Sequence, residues 1–218
     1  MPIAFFDLDL TLLSVNSGSL WIRREVALGR LPLRRALRAA SWLVQYQLGL
    51  AAQTTMLEKA IASATGESAE ALAARTKSFF DTLVKQRFRP GGRSALELHR
   101  ARGDRLVLLS SSSHFMAELV ASELGLDAVL CNRLEVGADG RLTGRTDGPI
   151  CFGAGKRWWA EREASGEPLS SCTFYTDSYS DLPVLEVVGR AVAVNPDWRL
   201  QRHARQQGWP VVDWGAAG

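Results

Sequence analysis

The chain begins with MPIAFFDLDLTLL, residues 1–13, in which a hydrophobic run leads directly into two carboxylates and a threonine. The segment Ile3–Phe6 is typical of a short buried strand in a parallel sheet. Since side chains alternate along a strand, Asp7 and Asp9 are expected to point in the same direction where the strand ends. Two buried carboxylates without partners are costly, which predicts a nearby cation, and a hard, oxygen-seeking ion such as Mg²⁺ fits that need.

Three later segments carry further polar residues of the kind that such a site uses. Arg105–His114 reads RLVLLSSSSH, a buried strand that ends in hydroxyl groups, and Gly153–Arg157 reads GAGKR at a predicted helix start. Thr173–Glu186 reads TFYTDSYSDLPVLE, in which another strand leads into an acidic pair. Alone, Asp7 and Asp9 fit ordinary turn or helix-cap chemistry as well as catalysis. The three later segments favour catalysis.

The four segments, in this order, resemble the four motifs of the haloacid dehalogenase-like (HAD) phosphohydrolases. Motif I of that family is D-x-D-x-T/V, motif II places Ser or Thr after a strand, motif III supplies a lysine, and motif IV is an acidic pair. The resemblance implies an α/β fold with a Rossmann-like parallel sheet that carries helices on both faces. It also implies a Mg²⁺-dependent phosphatase that hydrolyses a small phosphomonoester.

The resemblance implies a chemical role for each residue that matches a motif. Asp7 matches the nucleophile, which would form an aspartyl-phosphate intermediate, and Asp9 matches the general acid/base. Together with Asp177 these two aspartates are the expected Mg²⁺ ligands, Asp9 through its backbone carbonyl. Lys156 would neutralise the nucleophile and bind the transferred phosphoryl group.

Three more residues are expected to assist these four. Ser110 would donate a hydrogen bond to a phosphoryl oxygen. Ser111 could add a hydroxyl or backbone N–H donor at the start of the next helix, which is a natural anion site. Asp181 lies one helical turn beyond the last metal ligand and would orient the water shell of the metal or the lysine.

A helical insertion is predicted between the first and second motifs. Capping residues and glycines divide it into successive helices over residues 17–28, 32–49, 54–65 and from 68 onwards, the last ending near residues 89–92. This arrangement looks like the helical cap of the phosphoserine-phosphatase-like branch of the HAD family. We therefore expect a core domain formed by residues 1–13 and 89–218, in which strands and helices alternate, and an inserted helical-bundle cap domain over residues 14–88.

The cap sequence departs from phosphoserine phosphatases at one informative place. Those enzymes use a glutamate shortly after motif I to hold the amino group of the substrate, whereas this chain has Asn16 there and no acidic residue nearby. Glu25 is the nearest candidate and lies too far along the chain to match. Phosphoserine is therefore not a secure substrate, and histidinol phosphate or another small phosphorylated metabolite remains open. A second departure is Leu10, which stands where many relatives carry a small or polar residue within motif I. The family tolerates variation there, so we expect the backbone geometry of the turn to be intact.

The composition limits the remaining possibilities. A net charge of +3 over 218 residues is too weak to indicate nucleic-acid binding, and three distant cysteines indicate buried free thiols in a reducing cytosol. The three histidines lack metal-ligand spacing and are expected at the surface or at helix caps. The apolar stretch Ala36–Ala52 is interrupted by polar residues, which favours a partly buried cap helix over stable membrane insertion. We expect a cytoplasmic protein without a leader; the sequence does not indicate its oligomeric state.

Two alternatives to hydrolysis remain open within the same fold. The phosphoryl group could pass to a second alcohol instead of water, because acceptor choice depends on how the cap admits water. A catalytically silent HAD-like binding protein is the other alternative. A signalling receiver domain, which also has an aspartate phosphoacceptor, is excluded because no helical insertion of about ninety residues follows its first strand.

Overall fold

In the computed structural model, which describes residues 1–30 and 53–215, a six-stranded sheet forms the centre of the molecule. Its strands are β1 (Ile3–Phe6), β2 (Arg105–Ser113), β3 (Ala128–Asn132), β6 (Thr173–Thr176), β7 (Arg190–Val194) and β8 (Val211–Val212). Their order is β3-β2-β1-β6-β7-β8, and all neighbours pair in parallel. The central position of β1 places the residues that follow it at the middle of the carboxyl edge, where such sheets bind ligands.

The α-helices of the described chain surround this sheet or lie in the proposed insertion. They are α1 (Ser17–Ala27), α2 (Gln53–Ala62), α3 (Ala69–Phe79), α4 (Pro90–Ala101), α5 (His114–Leu124), α6 (Ala154–Glu163), α7 (Leu182–Leu185) and α8 (Trp198–Gln207). The expected α/β fold with a parallel sheet is confirmed. The helix predicted over residues 32–49 and the apolar stretch 36–52 fall outside the described residues. Within the described ranges, no helix is both long and apolar enough to cross a membrane.

Both faces of the sheet are covered by hydrophobic side chains. Along β1, Ala4 and Phe6 belong to one buried cluster, while Ile3 and Phe5 belong to the cluster on the opposite face. All four side chains are buried, which explains why the strand reads as a continuous apolar run and not as an alternating one. A strand covered on both faces holds its carboxyl end, and thus Asp7, in a fixed position.

The two connections between the predicted core and cap run side by side. Leu13 and Phe88 form an antiparallel bridge. On either side of it, the Ser14 amide donates to the Arg87 carbonyl at 2.9 Å and the Arg89 amide donates to the Leu12 carbonyl at 2.8 Å. We propose that residues 14–88 form the cap domain, because these paired connections lie at its expected boundaries.

The end of the insertion differs in one detail from the sequence expectation. After α3 the helical path continues through the wide turn Phe80–Val84 and the single turn Lys85–Arg87. Pro90 and the two glycines after it then begin α4, where a proline is well tolerated in the first turn. A Cβ atom on Gly91 would lie only 2.5 Å from the Trp214 ring, so close packing explains why glycine is needed there.

A hairpin of the core lies against the proposed cap. Its strands are β4 (Leu134–Val136) and β5 (Leu142–Thr146), which pair antiparallel. The Gly66 amide donates to the Leu142 carbonyl at 2.9 Å, and the Ala69 amide donates to the Gly140 carbonyl at 3.0 Å. These bonds fix the loop between α2 and α3 relative to the sheet. The three cysteines are free and buried, as expected.

Candidate active site

A tight turn after β1 positions the first two aspartates. The strand ends at Phe6, so the alternation of side chains expected for Asp7 and Asp9 does not continue through them. Asp9 has an extended backbone, whereas Leu10 adopts the left-handed conformation with φ of 60°. A non-glycine residue in that conformation costs free energy, which indicates that the surrounding contacts hold the turn in place. The turn thus accommodates Leu10.

Lys156 joins the first and fourth motifs through two buried ion pairs. Its Nζ lies 2.7 Å from Asp7 Oδ1 and 2.8 Å from Asp181 Oδ2. Lys156 is in the first turn of α6, and a Cβ on Gly155 would overlap the Ile150 carbonyl oxygen, so the glycine lets this helix start approach the preceding loop closely. Removing Lys156 from this set would leave two buried carboxylates without a cation.

Burial and the neighbouring charges shift the pKa values of the groups in this cluster. Burial raises the pKa of Asp7 to about 7, against the lowering effect of Lys156. Burial alone would lower the pKa of Lys156, but the carboxylates of Asp181 and Asp7 outweigh it and raise that pKa above its ordinary value. Burial and the negative neighbours Asp7 and Asp181 raise the pKa of Asp177 well above its ordinary value. The cluster therefore contains more carboxyl groups than Lys156 alone can keep ionised.

Thr11 ties Asp177 to the first motif. The Thr11 hydroxyl lies 3.1 Å from Asp177 Oδ1 and 3.5 Å from Asp7 Oδ2, and it accepts a hydrogen bond of 2.9 Å from the Asp177 amide. Thr11 is completely buried. One hydroxyl thus fixes the distance between two of the expected metal ligands, which gives Thr11 a positioning role in this chain.

Asp9 faces the start of the proposed cap. Its Oδ1 accepts a hydrogen bond of 2.9 Å from the Ser17 amide, and its Oδ2 lies 3.5 Å from the Asn16 side-chain nitrogen. Burial raises the pKa of Asp9, although the hydrogen bonds from Ser17 oppose the shift. A raised pKa suits a residue that must first donate a proton and later accept one.

The serines of the second motif lie beside β1 on the neighbouring strand. Leu108 pairs with Phe6, so Ser110 lies at the same edge of the sheet as Asp7. Ser110 is 2% exposed, and its hydroxyl oxygen accepts a hydrogen bond of 3.1 Å from the Ser112 amide. The hydroxyl hydrogen of Ser110 is therefore available to a ligand. Ser111 is half-buried, and its carbonyl accepts a hydrogen bond from Asn132.

Two positioning residues were not identified from the sequence. Thr176 is buried, and its hydroxyl donates to Asp181 Oδ2 at 2.7 Å. Asn132 donates to the Ser111 carbonyl at 2.7 Å and accepts from the Cys151 amide at 2.8 Å, which links the second-motif loop to the loop before α6. Asn132 lies outside the four motif segments, and Thr176 lies in the strand that leads into the acidic pair of the fourth. Only a place at a strand end could have indicated a role for either residue.

The structure also accounts for the two cap residues considered for substrate binding. The Asn16 side chain caps α1 by accepting a hydrogen bond of 2.8 Å from the Ser19 amide. Glu25 is buried and forms ion pairs with Arg24 and Arg75, at 3.4 Å and 3.3 Å. Because both side chains are occupied within the protein, neither offers a free group to a substrate.

The donor set at this edge fits a hard cation. Asp181 Oδ1 is buried and has no hydrogen-bond partner, and the carboxylates of Asp7 and Asp177 have pKa values raised by burial. Among the described residues no three His, Cys, Asp or Glu side chains converge as a metal cage would require. A cation here would therefore depend on two carboxylates, the Asp9 carbonyl and water, which is the mixed oxygen set that Mg²⁺ accepts.

Comparison with known proteins agrees with this geometry. The haloacid dehalogenase-like hydrolase family matches residues 4–186. The chain is 30% identical to the histidinol-phosphatase of Neisseria meningitidis, over 97% of this chain and 98% of that protein, and 34% identical to the phosphoserine phosphatase SerB1 of Mycobacterium tuberculosis, over 98% and 71%. A solved phospho-aspartyl intermediate analogue of a phosphoserine phosphatase has the same fold, with a TM-score of 0.72, 19% identity and coverage of 99% and 94%. The chain is thus an enzyme of the haloacid dehalogenase-like hydrolase family and is similar to that family's phosphatases.

Proposed function

We propose that the protein is a Mg²⁺-dependent phosphatase that hydrolyses a small phosphomonoester through an aspartyl-phosphate intermediate. The observation that carries this proposal is the buried contact of Lys156 with both Asp7 and Asp181, beside Asp177 and at the carboxyl edge of the sheet. The site has one ammonium group and three buried carboxylates. Its charge therefore suits the binding of one divalent cation together with a phosphoryl group. Both relatives named above are phosphatases of small metabolites.

The reaction proceeds in two displacements. In the first, an Asp7 oxygen attacks phosphorus, the ester bond breaks, and Asp9 gives its proton to the leaving alkoxide. In the second, Asp9 takes a proton from water, which attacks the same phosphorus and releases inorganic phosphate from Asp7. Lys156 and the Ser110 hydroxyl would hold the phosphoryl oxygens during both steps.

Mg²⁺ would be held by the carboxylates of Asp7 and Asp177 and by the Asp9 carbonyl. When bound, it supplies charge neutralisation for the phosphoryl oxygens and for the acidic cluster. Asp181 keeps Lys156 in position, and its unpaired Oδ1 would be free to accept a hydrogen bond from the water shell of the ion. Thr11 fixes Asp177 relative to Asp7, so the ligands are arranged before the ion arrives.

Hydrolysis of a generic phosphomonoester is expected to require Mg²⁺ and to stop in excess EDTA. Asp177→Ala should raise the Mg²⁺ concentration needed for half-maximal activity by at least about tenfold, since one of two carboxylate ligands is lost. The measurement is an Mg²⁺ titration of steady-state rates, with the exposed Asp147→Ala as the matched control. Full activity after exhaustive chelation would rule out the proposed metal dependence.

The metal-free protein is expected to lose stability as the pH rises from about 5 to about 7. The raised pKa of Asp7, about 7, means that the folded state keeps a proton that the unfolded state has already released, so each step up in pH favours unfolding. The raised pKa of Asp177 likewise makes the folded state less stable as the pH rises. Melting temperatures in EDTA should be lower at about pH 7.5 than at about pH 5.5, and added Mg²⁺ should raise them more at the higher pH. Equal Mg²⁺ shifts at both pH values would contradict this account.

A further inference from the structure

A cleft opens between the proposed cap and the core beside the candidate active site. Its volume is about 540 Å³, within the range of small-molecule sites. Residues of α2 line one side, and the loop before α6 lines the other. Gly155 and Ser180, which also line it, immediately precede Lys156 and Asp181 in the chain. A phosphomonoester with its phosphoryl group at Asp7 could therefore extend its leaving group into this cleft.

The cleft has a distinct charge pattern. Among the described residues that line it, Glu58 is the one with an ionisable side chain; the others include Thr54, Ile150 and Phe152. Glu58 is exposed, and no cation of the described chain forms an ion pair with it. A carboxylate in a cleft whose other described lining residues are uncharged attracts cations and repels anions more strongly than the same group on an open surface.

From this arrangement we infer that Glu58 determines specificity and selects phosphomonoesters whose leaving group carries a positive charge. Asn16 caps α1 and Glu25 is held by arginines, so neither competes for that role. Phosphoserine also carries a carboxylate in its leaving group, and Glu58 repels that carboxylate. It therefore gains less binding free energy from Glu58 than a substrate whose leaving group carries only a positive charge. This inference rests on the proposed function, since it places the phosphoryl group at Asp7.

The test compares two esters of similar size, phosphoethanolamine and ethyl phosphate, which differ in the ammonium group. With saturating Mg²⁺, kcat/KM should favour phosphoethanolamine by about three- to tenfold. Glu58→Gln should bring this ratio close to one, and Glu58→Lys should reverse it. Glu70→Gln removes the same charge from an exposed position on α3 that does not line the cleft, and it should leave the ratio unchanged.

Binding measurements separate this inference from the proposed hydrolysis. In an Asp7→Asn background, calorimetric dissociation constants for the same two esters should show the same preference, and Glu58→Gln should remove it. If this binding preference depends on Glu58 but the enzyme with Asp7 hydrolyses neither ester, the proposed function fails and the role of Glu58 stands. If both esters are hydrolysed but the ratio is unchanged in Glu58→Gln, or falls equally in Glu70→Gln, the role assigned to Glu58 is wrong.

Discussion

Replacing Asp7 with asparagine is expected to lower kcat/KM for a generic phosphomonoester by about 10⁴-fold or more. The amide has nearly the same size and can still accept a hydrogen bond from Lys156, but it cannot form an acyl phosphate. Steady-state rates with p-nitrophenyl phosphate and saturating Mg²⁺ provide the measurement. Retention of a tenth of the activity, a loss of only about 1.4 kcal/mol, would contradict the nucleophile assignment.

The matched control for this variant is Asp147→Asn. Asp147 is an exposed aspartate that lies outside the acidic cluster, so its replacement should leave kcat/KM unchanged. Asp7→Asn should still unfold cooperatively and melt in EDTA no lower than the unmodified protein, because it removes a carboxylate whose ionisation burial opposes. A large fall in its melting temperature would instead point to a structural role for Asp7.

Replacing Lys156 with methionine is expected to abolish activity and to lower the free energy of unfolding by about 3–5 kcal/mol. The side chain is 4% exposed, and its removal leaves Asp7 and Asp181 buried without their shared cation. Denaturant unfolding in EDTA measures the loss. A cost below about 1 kcal/mol would show that the ion pairs are not formed in solution.

A double variant tests whether this loss comes from uncompensated charge. Asp181→Asn alone should destabilise the protein, since it weakens the contacts of Lys156 and Thr176. Added to Lys156→Met, however, the same change should restore part of the lost stability, because it removes one of the two unpaired carboxylates. If the two losses simply add, Lys156 and Asp181 do not interact in the way that the structure indicates.

The fold and the charged residues of the site could be predicted because their signals are local. Four short segments each combine a buried strand or a helix start with a reactive residue, and the parallel arrangement then brings the strand ends to one edge. Asp7, Ser110, Lys156 and Asp177 lie at that edge in the structure. Their catalytic roles stay predictions until the variants are measured.

The remaining features depend on contacts between segments that are distant in the chain. His99, expected at the surface or at a helix cap, is in fact buried, with hydrogen bonds of 2.6 Å to Asp104 and 2.8 Å to Tyr175. In the sequence, nothing distinguishes Thr176 from other strand residues. Its hydrogen bond to Asp181 is evident only in the structure. An exposed glutamate such as Glu58 usually marks a solvated helix face. Glu58 lines the cleft only because the fold places α2 opposite the loop before α6, and the sequence does not show this arrangement.

The most direct test of the covalent mechanism is to trap the phosphoryl group on the enzyme. In Asp9→Asn the second displacement is slowed because water is no longer activated, whereas p-nitrophenolate can leave without a proton from Asp9. The intermediate should therefore accumulate after rapid mixing with p-nitrophenyl phosphate and acid quenching. Mass spectrometry should then find one added phosphoryl group on Asp7, and hydroxylamine should remove it, as expected of an acyl phosphate. A phosphoryl group on Ser110, or turnover without any covalent species in this variant, would contradict the mechanism.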